Sequence, residues 1–342
     1  MDLVVSDLHL GSRLGRDVLR VPAALDALLT AIDGADRLVL LGDVVELLEP
    51  SPHRAMTRAE DVLRAIGARV GGQREVVLVP GNHDRLLIRP WVRRVGAGLA
   101  VDAAVPLDAT SWLARVVDLL APARVRVHYP GVWLADGIYA THGHYLDRHL
   151  LPESAYGMAR GLLGRLPRDG ATPDEYESAG GPSVTRLEGV MSRGLPVPLA
   201  RVFEAALVGL RARTMPRLVR PSTAPMLRRL LGAQMRRAAI PALGRVVHRL
   251  GVDADWVIFG HVHRLGPIAD DDPEEWAALT GRPRIANTGS WVYERRLLHR
   301  AEPPHPYWPG GALLIENGTP RAVGLLDHLG GEVLDPRRRR AS

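Results

Sequence analysis

The stretch Leu3-Val4-Val5-Ser6-Asp7-Leu8-His9 joins an apolar run to two side chains that can bind a metal ion, Asp7 and His9. The same arrangement recurs four times: apolar runs at residues 38–41, 76–79, 138–140 and 256–259 precede Gly42-Asp43, Gly81-Asn82-His83-Asp84, His142-Gly143-His144 and Gly260-His261-Val262-His263. Short runs rich in Val, Ile and Leu are typical of buried strands in a mostly parallel sheet. Polar residues at the carboxyl ends of such strands are the usual place for a site in an open α/β sheet. The repeated pattern therefore predicts an α/β fold with a site at these strand ends.

The segments between and after these runs extend the α/β prediction. Helical patterns at residues 18–32 and 57–70 alternate with the strands, as in α/β proteins. Residues 284–288, 312–315 and 322–326 are also predicted to be strands, with Glu316-Asn317-Gly318 as the turn between the last two. We expect these later strands to form a second, more antiparallel sheet.

A long segment between the fourth and fifth motifs divides the chain. The sequence predicts a core at residues 1–145 and 253–330, a helical insert at 146–252, and a basic tail at 331–342 that we expect to be disordered. Within the insert, residues 146–166 and 199–213 are predicted to be helical, and residues 167–182, rich in Gly, Pro, Asp and Glu, are predicted to be loop. Residues 224–250 combine apolar positions at helical spacing with many arginines, although Pro241 should kink or break that helix. The insert is either an ordinary helical addition or an arginine-rich cap that covers the site or contacts an anionic membrane.

Composition narrows the chemistry but does not identify a substrate. The 342 residues include no cysteine, which excludes disulfides and thiolate metal sites. The formal net charge of +6 favours anionic partners, and every basic side chain is arginine. This arginine usage reflects either a GC-rich genome or a need to bind phosphate through two hydrogen bonds at once. We find no signal peptide and no 18-residue apolar stretch, so we expect a cytoplasmic protein.

The donor types in the five motifs suit two metal ions. Asp7 and His9 are separated by one residue and can reach the same ion, while Gly42 lets the backbone turn so that Asp43 can bridge two ions. Asn82 adds a neutral oxygen ligand. Oxygen and nitrogen donors favour manganese, iron, zinc or magnesium. Two ions about 3.5–4 Å apart would hold a hydroxide and bind the phosphoryl oxygens of a substrate.

The motifs D-x-H, G-D-x-x-[DE], G-N-H-[DE], H-G and G-H-x-H occur here in the order found in calcineurin-like metallophosphoesterases, and the chain resembles that family over residues 1–145 and 253–326. The resemblance implies a four-layer α/β/β/α sandwich and a phosphoesterase that uses a metal-bound hydroxide. It implies Mn²⁺ as the expected metal, with Fe²⁺, Zn²⁺ or Mg²⁺ as alternatives. Matched residue by residue, it assigns metal 1 to Asp7, His9, Asp43 and His263, and metal 2 to Asp43, Asn82, His142 and His261.

The resemblance also implies the catalytic residues and a class of substrate. His83 would stabilise the transition state or protonate the leaving group, with Asp84 as its orienting partner. Glu46, the start Ser6-Asp7-Leu8-His9-Leu10 and the helical insert resemble the UDP-2,3-diacylglucosamine pyrophosphatase branch, which usually has arginine at the position of His83. The bond cleaved would be a phosphomonoester, phosphodiester or pyrophosphate, in a small-molecule, nucleotide-linked or lipid-linked substrate.

Several interpretations stay open at this point. Glu46 either supports the site or only starts a helix, and His144 either replaces His142 as a ligand, binds substrate or caps the next helix. Five side chains just past the motifs either bind phosphate or are structural: Arg13, Arg85, Arg148, His149 and Arg264. The alternative functions are a phosphoprotein phosphatase, a nuclease, or a non-catalytic nucleic-acid-binding scaffold. Aromatic content of 5% argues against nucleic acid, because single strands are bound by stacking on aromatic rings.

Overall fold

The computed structural model describes residues 1–12, 15–48, 51–149, 167–178, 238–278, 280–295, 297–298 and 300–335. The strands in these ranges are β1 (Asp2–Val5), β2 (Arg37–Leu40), β3 (Glu75–Leu78), β4 (Asp102–Ala104), β5 (Arg124–Ala135), β6 (Ile138–Thr141), β7 (Trp256–Phe259), β8 (Leu265–Gly266), β9 (Arg284–Thr288), β10 (Gly311–Glu316) and β11 (Thr319–Gly324). The helices are α1 (Pro22–Asp33), α2 (Pro52–Val70), α3 (Arg89–Val95), α4 (Ser111–Leu119), α5 (Pro173–Ser178), α6 (Ile240–Arg249) and α7 (Gly331–Leu334).

The strands follow one continuous path in the order β11-β10-β1-β2-β3-β5-β6-β7-β9-β8, and β4 pairs with β5 off this path. β1, β2, β3 and the start of β5 are parallel, as are β6, β7 and β9. Residues 124–127 of β5 pair with β3, whereas residues 131–135 pair antiparallel with β6. β5 therefore joins a first half of the sheet (β11, β10, β1, β2 and β3) to a second half (β6, β7, β9 and β8).

Alternating side chains on these strands divide the core into three buried clusters. On β1, Leu3 lies in the cluster that also contains residues of α1, α2 and α4, while Val4 lies in a different cluster with Ile258 of β7. Phe259, the neighbour of Ile258, lies in a third cluster with residues of α6. Because neighbouring side chains on a strand point to opposite faces, the two halves pack against each other and each carries helices outside. The α/β prediction is confirmed, and its layers are helices, sheet, sheet and helices.

Local sequence explains where several helices begin and end. Pro22 and Pro52 occupy the first turns of α1 and α2, where the missing N–H of proline costs nothing. Thr110 caps α4 by accepting a hydrogen bond from the Leu113 N–H at 3.0 Å. The chain leaves α2 through Gly71, whose φ of 71° is unfavourable for residues with a side chain.

The prediction of a separate antiparallel sheet from the later strands is wrong. β9 pairs in parallel with β7 inside the second half, while β10 and β11 extend the first half beyond β1. In that extension Leu3 of β1 lies opposite Leu314 of β10. An apolar run identifies a strand but not its partner, since the pairing depends on residues more than 300 positions away in sequence.

The described parts of the predicted insert and tail also differ from expectation. Residues 173–178, predicted to be loop, form α5, and residues 331–334 of the supposedly disordered tail form α7 with Leu334 buried. Pro241 is the second residue of α6. Of the predicted helix at 146–166 only residues 146–149 are described, and residues 146–148 belong to a short helix at His144–Arg148. The predicted helix at 199–213, most of that at 224–250, and residues 336–342 lie outside the described residues. The division into core and insert stays a prediction.

In the described part of the chain, no helix is both long enough and apolar enough to cross a membrane.

Candidate metal centre

The predicted ligands lie in the loops that follow five strands of the sheet. Asp7 and His9 follow β1, Asp43 follows β2, Asn82 follows β3, His142 follows β6, and His261 and His263 follow β7. The carboxyl ends of parallel strands meet at the same side of a sheet, so these loops converge. The structure brings all seven side chains into one cluster that spans both halves of the sheet.

Five of these residues have backbone conformations that are rare outside glycine. Their positive φ angles are 54° for Asp7, 45° for His9, 53° for Asp43, 67° for His261 and 58° for His263. Residues held in this region cost free energy and concentrate at functional sites. These backbone conformations direct the five side chains towards the cluster.

Glycines beside the ligands leave room for them. A Cβ atom at Gly42 would lie 2.3 Å from Nδ1 of His142, and one at Gly81 would lie 2.3 Å from Oδ1 of Asp43. Any larger residue at these two positions would have to displace a predicted ligand, which explains why glycine precedes the ligand in both motifs.

Asp7, His9 and His263 form the first donor group. Nε2 of His263 lies 3.1 Å from Oδ1 of Asp7 and 3.4 Å from Nε2 of His9. Oδ1 of Asp7 is fully buried and has no hydrogen-bond partner. A buried carboxylate oxygen without a donor is costly, and a cation placed between these three atoms would compensate for it.

Asp43, His142 and His261 form the second donor group, and their ligand atoms lie within 4.8 Å of one another. Oδ2 of Asp43 lies 3.2 Å from Nε2 of His142 and 3.9 Å from Nε2 of His9. Asp43 therefore stands between the two groups, as a bridging ligand must. Oδ1 of Asn82 lies 3.2 Å from Nε2 of His142 and adds an amide oxygen to the second group.

Hydrogen bonds to the outer ring nitrogens select which nitrogen faces the cluster. Nδ1 of His142 is 3.0 Å from the Leu41 carbonyl, which can only accept, so Nδ1 carries the proton. Nδ1 of His9 likewise donates to the Glu46 carboxylate at 3.0 Å. When the two rings are neutral, each Nε2 atom has a lone pair that points at another hydrogen-bond acceptor. Two acceptors repel each other unless a cation or a proton lies between them.

The electrostatics of the cluster favour positive charge at its centre. Burial would raise the pKa of Asp7, but the facing His263 and His142 lower that pKa to about 2. Burial would lower the pKa of His142, yet the Asp43 and Asp7 carboxylates raise it to about 9. Carboxylate, amide and imidazole donors with this preference for a cation fit divalent metals.

His83 lies at the solvent side of the cluster. Its Nδ1 is 2.8 Å from Oε2 of Glu46, and its side chain is 34% exposed where that of Glu46 is only 5% exposed. Burial opposes protonation of His83, but the charges of Glu46 and Asp43 outweigh it and raise the pKa to about 10. His83 is thus a proton donor that a substrate could reach.

The predicted role of Asp84 as the orienting partner of His83 is wrong. Asp84 accepts hydrogen bonds from the backbone N–H groups of Gly81 and Val44, at 2.5 and 2.8 Å, and so ties the loop after β3 to the loop after β2. Burial and the nearby Asp43 raise the pKa of Asp84 to about 7. Glu46 is the residue that orients His83, and it does not start a helix, because α2 begins only at Pro52.

In the described part of the chain, the His144 side chain hydrogen-bonds to no predicted ligand and caps no helix. Its Nε2 lies 3.1 Å from the Tyr129 hydroxyl, and its ring centroid lies 5.7 Å from that of His142. Burial lowers the pKa of His144 to about 4, so it is neutral at physiological pH. The following short helix is capped by Gly143, with no side-chain hydrogen bond at that cap.

The side chains flanking the motifs contact other protein groups. Arg85 pairs with Glu177, Arg264 pairs with Asp271, and His149 lies 2.8 Å from the Tyr176 hydroxyl. Arg148 lies 3.4 Å from the Tyr176 carbonyl. Each described member of this set thus has a structural contact, while Arg13 lies outside the described residues.

Two acidic residues near the site were not anticipated from the sequence. Oδ1 of Asp147 lies 3.0 Å from Nε2 of His261, and Glu177 of α5 accepts a hydrogen bond from Tyr145 at 2.8 Å. Asp147 follows the H-G-H motif by three residues, a spacing that could have marked it. Glu177 lies in a Gly, Pro and Asp-rich stretch that gives no such signal.

Three comparisons show which known proteins the chain is similar to. The family model for calcineurin-like phosphoesterases matches residues 3–162. The crystal structure of a dimetal phosphatase from Danio rerio is 15% identical and covers 95% of this chain and 96% of its own, with a TM-score of 0.34. A cobalt-precorrin-5B C(1)-methyltransferase from Edwardsiella ictaluri (strain 93-146) is 29% identical over 137 residues.

The methyltransferase and phosphatase similarities do not assign a function. The aligned region covers 39% of this chain, and the chain spans about a third of that methyltransferase, 34% of its length. The TM-score of the phosphatase structure is too low to support a statement about the fold of this chain. The family match, in contrast, contains β1, β2, β3 and β6 with the first four motifs. Residues 3–162, a little under half of the chain, are therefore similar to the calcineurin-like phosphoesterase family.

Proposed function

We propose that this chain binds two divalent metal ions and hydrolyses a phosphomonoester, phosphodiester or pyrophosphate bond. The observation that carries the proposal is the position of Asp43, whose carboxylate lies between the group of Asp7, His9 and His263 and the group of His142 and His261. Asn82 completes the second group. Divalent ions held there would polarise the phosphoryl oxygens and make water a better nucleophile.

The protein's own side chains then bind, orient and protonate the substrate. His83 is held by Glu46 at 2.8 Å and is exposed on one side, so its imidazolium can stabilise charge on the phosphoryl group or give a proton to the leaving oxygen. Glu46 also holds His9 at 3.0 Å, and one carboxylate thus fixes a ligand and the proton donor relative to each other. Mn²⁺ is the metal we propose, with Fe²⁺, Zn²⁺ and Mg²⁺ as alternatives for the same donors.

A nucleotide-linked or lipid-linked pyrophosphate is the substrate class we propose. The net charge of +6 favours anionic substrates. The motif variant with Glu46 and the long segment before the last motif support the same class. We also propose that the arginine-rich insert contacts an anionic membrane.

Metal content and turnover, measured together, test the proposed function. The purified protein is stripped with a chelator, single metals are added back, and a panel of p-nitrophenyl phosphate, bis-p-nitrophenyl phosphate, UDP-diacylglucosamine, a phosphopeptide and single-stranded DNA is assayed. Binding of two ions per chain together with restored hydrolysis would support the proposal. The preferred substrate would then show which class of phosphoester or pyrophosphate the protein cleaves. Retention of both metal content and turnover by Asp43→Asn would reject it.

A deletion separates a lipid-specific role of the insert from general hydrolysis. Since Leu243 and Val247 of α6 are buried in the core, the deletion should be confined to residues 199–237. Loss of activity on a lipid-linked substrate with retained hydrolysis of p-nitrophenyl phosphate would support the cap. Equal effects on both substrates would contradict it.

A further inference from the structure

One contact that the metal-binding motifs leave unexplained joins Asp147 to His261. Asp147 lies in the short helix His144–Arg148 that follows the loop of His142, and its Oδ1 is 3.0 Å from Nε2 of His261. Both side chains are 16% exposed, so the pair is largely removed from water. The contact joins the fourth motif to the fifth.

The helix that carries Asp147 is rigidly placed. Leu146 is fully buried in the cluster that contains Leu243 of α6, and Tyr145 stacks on Tyr176 with ring centroids 4.9 Å apart. Asp147 is therefore held in place by the burial of the two residues that precede it in the helix. Its carboxylate can hold the orientation of His261.

His261 is fixed at two further points. Its backbone N–H donates to Oδ2 of Asp7 at 3.0 Å, and its φ of 67° keeps the left-handed conformation. Rotation about the side-chain bonds is what remains free, and the contact with Asp147 removes it. A carboxylate only accepts hydrogen bonds, so Nε2 of His261 carries the proton and Nδ1 carries the lone pair.

We propose that Asp147 is a positioning residue that orients His261 and makes Nδ1 its metal-binding atom. The inference rests on the proposed function, because it assumes that His261 binds a metal with Asp43 and His142. Carboxylates that accept from the outer nitrogen of a ligand histidine raise its basicity, and their removal weakens metal binding by about 10- to 100-fold. Only the ion of the second donor group should be affected.

Metal titration of four proteins tests this inference. Chelator competition with Zn²⁺ is measured for the parent, Asp147→Ala, Asp147→Asn and the exposed control Asp136→Ala. We expect Asp147→Ala to weaken one of two binding steps by about 10- to 100-fold. The asparagine variant keeps an oxygen that accepts from Nε2, so its loss should be smaller, and the control should match the parent. Thermal unfolding confirms that each variant folds.

The outcomes separate the inference from the proposed function. Zn²⁺ binding by the parent with an unchanged Asp147→Ala titration would overturn the positioning role alone. Failure of the parent to bind Zn²⁺ would overturn the proposed function and this inference with it. Equal, complete loss of one ion in both variants would show that Asp147 is itself a ligand and would also reject the positioning role. In the Zn²⁺ form, ¹⁵N NMR should show a proton on Nε2 of His261.

Discussion

At the scale of single residues, the ligand loops hold one another in strained conformations. A left-handed φ at a residue other than glycine costs on the order of 1 kcal/mol or more. The Asp7 N–H donates to the Gly42 carbonyl at 3.0 Å and the His9 N–H donates to the Asp43 carbonyl at 2.8 Å. The loop after β1 is thus supported by the loop after β2, and a change in one should be felt in the other.

Gly81→Ala should weaken metal binding without unfolding the protein. The added Cβ would lie 2.3 Å from Oδ1 of Asp43 and 2.7 Å from Cδ2 of His142, so both predicted ligands must move. We expect a loss of metal affinity of about 10-fold or more and a loss of stability of about 1–3 kcal/mol. Gly98→Ala is the control, since its Cβ meets only Val95 at 4.0 Å. Equal metal affinity in the two variants would show that the glycine is not needed for the ligands.

His83→Ala should lower turnover while leaving the metals bound. His83 offers its Nδ1 to Glu46 and its exposed face to the substrate. It lies outside the group of Asp7, His9 and His263 and outside the group of Asp43, His142 and His261, although it forms a third group of donor atoms with His9 and Glu46. General acid catalysis contributes about 10²- to 10⁴-fold, so kcat should fall within that range. Steady-state kinetics and metal analysis of His83→Ala and of the exposed His53→Ala check this prediction. Loss of metal in His83→Ala would instead make His83 a ligand.

At the scale of elements, α5 is tied to the site by one buried carboxylate. Glu177 has a side chain only 5% exposed, pairs with Arg85, and accepts hydrogen bonds from Tyr129 and Tyr145. Tyr129 belongs to β5, Tyr145 follows the fourth motif, and Arg85 follows the third. A short helix with little core of its own is held in place by these polar contacts.

Glu177→Gln should destabilise the protein in a pH-dependent way. Burial would raise the pKa of Glu177, but His144, Arg85 and Tyr129 outweigh it and lower the pKa to about 2. A carboxylate with a depressed pKa contributes stability above its unfolded pKa of about 4.3, and this contribution is lost as the pH falls towards 2. The variant should therefore be about 3 kcal/mol less stable at pH 7, with a smaller difference at pH 3.

Urea unfolding of Glu177→Gln and of the control Glu175→Gln at pH 7, 5 and 3 measures this effect. Glu175 lies on the same helix and is exposed, so its substitution should change stability by less than about 0.5 kcal/mol. A difference between the parent and Glu177→Gln that stays constant from pH 7 to pH 3 would contradict the assigned ionisation of Glu177.

The elements also show where sequence reasoning succeeds and where it fails. β1, β2, β3, β6 and β7 are predictable, because each buried run ends at a ligand. β5 contains no continuous apolar run at its start. There Val125 and Val127 alternate with Arg124 and Arg126, a pattern typical of a strand with one polar face. The partners of β9 and β10 could not be predicted, because pairing depends on contacts between distant segments.

The same limit applies to the residues of the site. The proposed ligands were found from their spacing within motifs, and the structure brings them together. The sequence draws attention to Glu46 without giving it a role, and it favours Asp84 as the partner that orients His83. The turn after β2 decides which carboxylate contacts His83. That turn places Glu46, rather than the adjacent Asp84, within 2.8 Å of the ring. Neighbours in sequence are poor guides to partners where the backbone reverses sharply.

At the scale of the whole molecule, the candidate metal centre lies between the two halves of the sheet. Asp7, His9, Asp43 and Asn82 follow strands of the first half, while His142, His261 and His263 follow strands of the second half. Between the halves, Val4 and Val39 pack against Ile258 and Ala286 in a shared apolar cluster. Ions bound at the strand ends would add a polar connection beside this apolar one.

Metal binding should therefore raise the stability of the entire fold. An ion that binds only the folded protein stabilises it by about 2.7 kcal/mol at a free concentration one hundred times its Kd. Without the ions, only imidazole rings balance the negative charges of the buried carboxylates of Asp7 and Asp43. The connection between the two halves is then weaker. Chelation should lower the unfolding temperature by several degrees, and adding Mn²⁺ back should restore it.

Thermal unfolding with and without Mn²⁺ measures this stabilisation, and two variants locate its source. Asp43→Asn removes the shared ligand and should abolish most of the metal-dependent shift, whereas His53→Ala, an exposed residue on α2, should keep it. Because the ligands come from both halves, one cooperative transition should move as a whole. If Mn²⁺ bound to the parent but left its unfolding temperature unchanged, the ions would bind the unfolded chain as well as the folded protein, which would contradict a metal site built by the fold.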